Sequence, residues 1–144
     1  MIRLAKATDS ISIAHLATEL GYPVSPEQIQ SRLTALAAET QIWVYQAAQN
    51  VVAWMQLSRT FHLTTGSSLE IVGLVVDSHY RSQQIGTQLL NHAKHIATHE
   101  QLELTVRSQQ KRTQAHRFYQ NNGFIWQKTQ LLFRLDSQSE STEK

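Results

Sequence analysis

Apolar positions along this chain change their spacing several times, and each change marks an element. Residues 2–6 alternate as a strand does. Ile13, Leu16, Ala17 and Leu20 then recur at helical spacing behind Thr8 and Asp9, either of which can cap a helix that Gly21 ends. Tyr22-Pro23-Val24 breaks the chain, and Ser25 followed by Pro26 and Gln28 is a capping-box start for a second helix with Ile29, Leu33, Leu36 and Ala37 on its apolar stripe. Residues 42–46 and 51–57 read as strands joined in a hairpin near Gln49 and Asn50, and residues 69–76, nearly all apolar, read as a central strand. Ile85, Leu89, Ala93, Ile96 and Ala97 form a longer helical stripe before a strand at 102–106. Strand, helix and strand make a crossover, so those two strands should be parallel. A helix over 111–122 buries Ala115, Phe118 and Tyr119 and stops at Gly123, and residues 124–128 and 131–135 read as the last two strands. The sum is an α/β fold with one mixed sheet.

The 144 residues suit one domain, expected over 1–136, with 137–144 a polar tail too poor in apolar residues to order itself. The chain has no cysteine, which excludes disulfides, a thiolate zinc site and a cysteine acyl-enzyme. The start Met1-Ile2-Arg3-Leu4-Ala5-Lys6 has no apolar signal region, and no stretch approaches the ~20 apolar residues of a membrane span, so a soluble cytoplasmic protein is expected. A net charge of +2 is too small to argue by itself for nucleic acid.

Two junctions carry chemistry. At residues 75–90 an apolar strand passes through the polar turn Arg81-Ser82-Gln83-Gln84-Ile85-Gly86 into a helix, and a helix start offers unpaired N–H groups and a positive dipole end to an anion such as pyrophosphate. Some thirty residues on, Ala115-His116-Arg117-Phe118-Tyr119-Gln120-Asn121-Asn122-Gly123-Phe124 pairs a tyrosine on a helix with a Gly-Phe stop. As an ordered pair these segments resemble the acetyl-CoA-binding core of the GCN5-related N-acetyltransferases (GNAT), and the order of elements over about residues 1–135 agrees. The turn departs from that family at Gln84, which stands where a glycine is usual.

The resemblance implies a single, mostly antiparallel sheet with splayed central parallel strands and flanking helices, and acetyl-CoA as acetyl donor with no metal. It also implies a primary amine of a small molecule or peptide as acceptor. Arg81, Ser82, Gln83, Gln84, Ile85, Gly86 and Thr87 would hold the pyrophosphate. Glu70, eleven residues before Arg81, matches in spacing the family's general base, and Tyr119 stands where the family places its general acid. A lysine-like amine with a pKa near ~10.4 needs a base, and a thiolate of ~8.5 leaves more easily with an acid nearby. Glu70 also reads as a solvated strand end, and Tyr119 as a core residue beside Phe118.

Gly73 inside an apolar strand suggests a bulge or a close backbone approach, which would splay the strand and free backbone groups of Leu74, Val75 and Val76 for pantetheine, with one amide serving as an oxyanion donor. Gly73 equally reads as relief of crowding against a helix. The histidines His92, His95 and His99 are read as a solvated helix side rather than as metal ligands, and Trp43, Trp54 and Trp126 as core. The basic cluster Arg107, Lys111, Arg112 and Arg117 would flank the adenosine end of the cofactor. The loop expected over residues 58–68, with Gly21-Tyr22-Pro23, should border the acceptor site. A catalytically silent acyl-CoA-binding module and a small RNA-binding protein remain as other classes, and a homodimer as one possible assembly.

Overall fold

The computed structural model describes residues 1–137. The tail expected at 137–144 therefore lies outside the described residues except for its first. The chain divides into two units, Met1–Arg107 and the part from Ser108 onward. The first unit holds a five-stranded sheet in the order β1-β2-β3-β4-β5, formed by Ile2–Leu4, Thr40–Ala47, Asn50–His62, Gly66–Val76 and Glu103–Val106. The first four strands are antiparallel neighbours, and β4 and β5 run parallel. The helices of this unit are α1 (Ser10–Glu19), α2 (Pro26–Thr34) and α3 (Ile85–Glu100).

Alternation along the strands sorts the core. Ile42 and Val44 pack with Ile13 of α1, Ile29 and Leu33 of α2 and Trp54 of β3. Helix α3 buries Ile85, Leu89, Leu90, Ala93 and Ala97, the stripe predicted from its period with Leu90 added and Ile96 only half-buried. Strand neighbours Met55, Leu57, Leu69 and Ile71 are almost fully enclosed. The capping box of α2 forms as its sequence predicts: Gln28 N–H donates to Ser25 Oγ at 3.1 Å and Ser25 N–H donates to Gln28 Oε1 at 2.9 Å. The helix stops at Thr34, so Leu36, predicted on its stripe, is exposed.

Three expectations are corrected. Residues 58–68 are not a loop: β3 continues to His62 and β4 starts at Gly66, a long hairpin whose cross-strand pairs include Thr60 and Ser68, with their hydroxyls 2.7 Å apart. Its polar β-branched and hydroxyl residues pair with one another across the end of the hairpin although they lack the apolar alternation used to predict strands. The last two strands, at 124–128 and 131–135, are not formed; residues 124–136 carry no regular secondary structure. Among the described residues of the second unit, the element formed is α4 (Thr113–Asn121). Trp126, expected in the core, is 61% exposed.

The edge strand β1 is tied to the start of α1 by charge. Arg3 donates from Nη1 to Asp9 Oδ2 at 2.9 Å and from Nη2 to Oδ1 at 3.0 Å, while Lys6 N–H adds a third bond to Asp9 at 2.7 Å. Asp9 therefore does not cap α1, as its position had suggested, but closes the turn in front of it. The hydrogen bonds from Arg3 hold the Asp9 carboxyl below the usual carboxylate range against the opposing effect of burial. A second forked pair, Arg59 with Glu100, links β3 to the end of α3, with Nε donating to Oε1 at 2.6 Å.

Replacing Asp9 by Asn should cost about 1.5–3 kcal/mol at neutral pH, the range for hydrogen bonds to charged groups. Because the folded-state pKa of Asp9 is depressed, this contribution is full above the unfolded value of about 3.9 and fades as pH falls through the folded one. Urea denaturation of both proteins from pH 7 downward checks this: the gap should close in acid, and a gap unchanged with pH would assign the loss to packing instead.

Candidate active site

The register of β4 explains the site. Its pairing with β3 passes from Gln56 opposite Gly73 to Leu57 opposite Ile71, so Val72 is an extra residue and the strand bulges there. Its pairing with β5 runs only from Ser68 to Ile71, although β4 continues to Val76. Beyond the bulge no strand of the first unit lies along that edge of β4. Asp77 N–H donates to Val52 C=O at 2.8 Å, and the two-residue alternation of an antiparallel ladder then turns Val75 toward β3 and the backbone groups of Leu74 and Val76 toward the open edge.

Gly73 has a simple steric cause. A Cβ there would stand 3.2 Å from Cζ3 and 3.3 Å from Cη2 of Trp54, so the indole occupies the space above the glycine. The bulge expected at Gly73 forms beside it, at Val72, and the glycine relieves crowding against the Trp54 ring of β3 and not against a helix. Trp54 Nε1 is buried and has no hydrogen-bond partner among the described residues.

The open edge leads directly to the predicted phosphate turn. Asp77 accepts from His79 N–H at 2.9 Å and faces His79 Nδ1 at 3.1 Å, which folds residues 78–83 into a short 3-10 turn. The His79 amide is the main reason that the Asp77 carboxyl lies below its ordinary pKa. Gln84 follows in the left-handed conformation, φ 60° and ψ 24°, and α3 begins at Ile85. Glutamine thus adopts the backbone shape for which glycine would be the unstrained choice, at a cost of roughly 1–2 kcal/mol. No side chain caps α3, and its ladder opens with Gln88 N–H donating to Gln84 C=O at 3.0 Å. The amides of Ile85, Gly86 and Thr87 are therefore the first-turn donors that a helix leaves unpaired. The side chain of Ile85 is buried and anchors this start, while Arg81, Ser82, Gln83 and Gln84 are exposed around it.

Glu70 lies on β4 opposite Thr105 of β5, inside the paired stretch. Its Oε1 accepts from Arg107 Nη1 at 2.6 Å, and its side chain is 14% exposed against 63% for the arginine. Arg107 had been assigned to a basic cluster facing the cofactor's adenosine end; it pairs with the candidate base instead. The signal was present, because Arg107 stands two residues past Thr105 on a parallel strand, but only the register reveals it.

Tyr119 lies on α4 in the second unit. Its ring meets Phe118 edge-on at 5.3 Å and Phe124 at 5.7 Å between centroids. Burial raises its pKa, with Arg112 acting in the opposite direction, so the phenol stays protonated at neutral pH. The ring packs as a core tyrosine would, yet none of the described residues hydrogen-bonds its hydroxyl. The Gly-Phe stop is formed as well: Gly123 has φ 93°, and Phe124 N–H donates to Tyr119 C=O at 3.0 Å.

The histidine row was expected to be solvated along its length, and that holds for His95 and His99 only. His92 is half-buried with its ring edge-on to Trp43 at 4.3 Å, and burial, aided by His95, lowers its pKa.

The family model of the Acetyltransferase (GNAT) family matches residues 11–124. Solved structures agree on the fold. A transcriptional regulator from Bacillus halodurans superposes with a TM-score of 0.82 at 23% identity, over 94% of this chain and 99% of that one. An aminoglycoside antibiotic 6'-N-acetyltransferase from Acinetobacter haemolyticus reaches 0.80 at 15% identity over 94% and 98%, and an acetyltransferase from Trypanosoma brucei 0.77 at 21% over 94% and 99%. No curated protein matches the chain. With a family match that takes in both β4 with its turn and the helix of Tyr119, this chain belongs to the GNAT acetyltransferase family.

Proposed function

We propose that this protein transfers the acetyl group of acetyl-CoA directly to a primary amine of a small molecule or peptide. The observation that carries the reading is the continuity of the open β4 edge with the uncapped start of α3. A pantetheine arm lying along Leu74, Val75 and Val76 would find strand-like partners for its amides, and its pyrophosphate would reach the donors of residues 81–87 without a bend in the chain. Glu70 would take a proton from the attacking amine as nitrogen bonds to the thioester carbon. The oxyanion would accept from a backbone amide of the open edge, and Tyr119 would give its proton to sulfur as the C–S bond breaks. Solvent then restores both groups. The likeness to aminoglycoside acetyltransferases makes aminoglycosides one amine class to test as acceptor.

One feature favours a second reading, a catalytically silent acyl-CoA-binding module: the carboxylate of Glu70 already accepts from Arg107. Thiol release from acetyl-CoA across a panel of amines and peptides separates the two, since the silent module binds the thioester and releases nothing.

Coenzyme A should stabilise the fold by about 2.7 kcal/mol at a hundredfold excess over its dissociation constant. Gly86→Val, which sets a β-branched side chain at the helix start, should remove that stabilisation; an equal thermal shift in both proteins would take the pyrophosphate elsewhere. Glu70→Gln should lower kcat, most strongly at low pH where less amine is free, and leave coenzyme A affinity unchanged. A pH profile identical to that of the parent would remove Glu70 from the chemistry. Tyr119→Phe keeps the ring against Phe118 and Phe124 and should cost ~10²–10⁴-fold in turnover. A donor thioester with a more acidic thiol should recover part of that loss, whereas an equal defect with both donors would deny the hydroxyl a role in protonating sulfur.

A further inference from the structure

Trp54 and Gly73 lie on the same face of the sheet but on different strands. Residues 54, 56 and 58 alternate onto that face of β3 and stand opposite Val75, Gly73 and Glu70 of β4. The indole leans from β3 across β4, since the atoms nearest a Cβ at Gly73 are Cζ3 and Cη2, the far end of its benzo ring. From behind, Trp54 packs against the cluster of Ile13, Ile42 and Val44, to which Ile29 and Leu33 of α2 also pack, so the ring has little room to swing away. Its Nε1 is buried without a partner among the described residues, a cost that a phenylalanine of shorter reach would avoid.

The position of the ring matters because of the order in which the donor would meet the strand. In the acetyl-transfer reading, on which this inference rests, the pyrophosphate is held at residues 81–87 and the pantetheine arm passes Val76, Val75 and Leu74 in turn. The next residue is Gly73. The thioester end then arrives beside Gly73 and the bulge at Val72, with Glu70 further along the same strand and on the face that carries the indole.

We propose that the benzo ring of Trp54 is the end wall of the acyl site and restricts the donor to acetyl. An amine that gives its proton to Glu70 needs the thioester carbon turned toward that carboxylate, which points the acyl chain the other way, at the indole. Gly73 lets the wall stand there, because a side chain at that position would compete with the ring for the same space. A methyl group fits against the ring, whereas each further methylene has to displace an indole that the core cluster holds in place.

Isothermal titration calorimetry of the full chain with coenzyme A, acetyl-CoA, propionyl-CoA and butyryl-CoA, without an amine, tests the wall. Each affinity is read relative to coenzyme A on the same protein, which separates the acyl site from the rest of the cofactor and from any loss of stability. In the parent, each methylene beyond acetyl should weaken binding by ~10-fold or more. Trp54→Phe, which keeps an aromatic ring against the core cluster but lacks the reach to Gly73, should take propionyl-CoA as well as acetyl-CoA. Trp54→Ala should take butyryl-CoA too, and the phenylalanine variant decides the matter if the alanine variant fails to fold. Equal binding of all three thioesters by the parent, or a penalty on propionyl-CoA that survives in Trp54→Phe, would overturn the wall and leave the acetyl-transfer reading in place. Failure of coenzyme A itself to bind the parent would overturn both.

Discussion

Backbone N–H and C=O groups buried in a sheet need partners, and the part of β4 beyond Ile71 has them on one edge alone. The rest of the structure is arranged around that half-paired strand. On its β3 side the ladder is complete through Val76 and into Asp77, which holds the open stretch straight. On the other side β5 stops at Val106, so β4 beyond Ile71 has no strand partner there among the described residues, and that edge runs toward the start of α3. Without the bulge at Val72 the alternation of β4 would be carried unbroken from the paired half to the open half.

Holding such an edge open requires a stiff frame, and the frame relies on a few directional contacts placed where elements meet. Arg3 with Asp9 fastens the outermost strand to α1, Arg59 with Glu100 fastens the long hairpin to the end of α3, and Asp77 folds the turn that aims α3. Arg107 with Glu70 belongs to the same group by geometry and differs by position, since it ties the end of β5 to β4 where their pairing stops. The acetyl-transfer reading thus places its base inside an ion pair. That arrangement fixes the carboxylate's direction through its Oε1.

Much of this was legible in residues 1–57 and 69–122, where apolar periodicity is strong and punctuated. The capping box at Ser25, the stripe of α3 and the Gly-Phe stop at Gly123 are local devices that act over a few residues, so their sequence is their structure. The hairpin over residues 58–68 was missed because the hydroxyl-bearing pairs at its end carry no apolar alternation. Residues 124–135 were read as strands by a pattern that is correct for a strand, but a strand exists only where another strand receives it, and none among the described residues does. His92 and Trp126 exchanged their expected environments for the same reason: amphipathic rings go where neighbouring elements leave room.

The family, the mixed sheet, the polar turn before α3 and the tyrosine on α4 were legible from the residues alone, because each depends on short-range spacing or on motifs with a local mechanism. It took the packed sheet to show that Gly73 lies beneath Trp54 and that Glu70 meets Arg107. These depend on which residues of separate strands fall opposite one another. Register is a property of paired backbones, fixed by the bulge at Val72 and by the end of β5, and no single segment contains it.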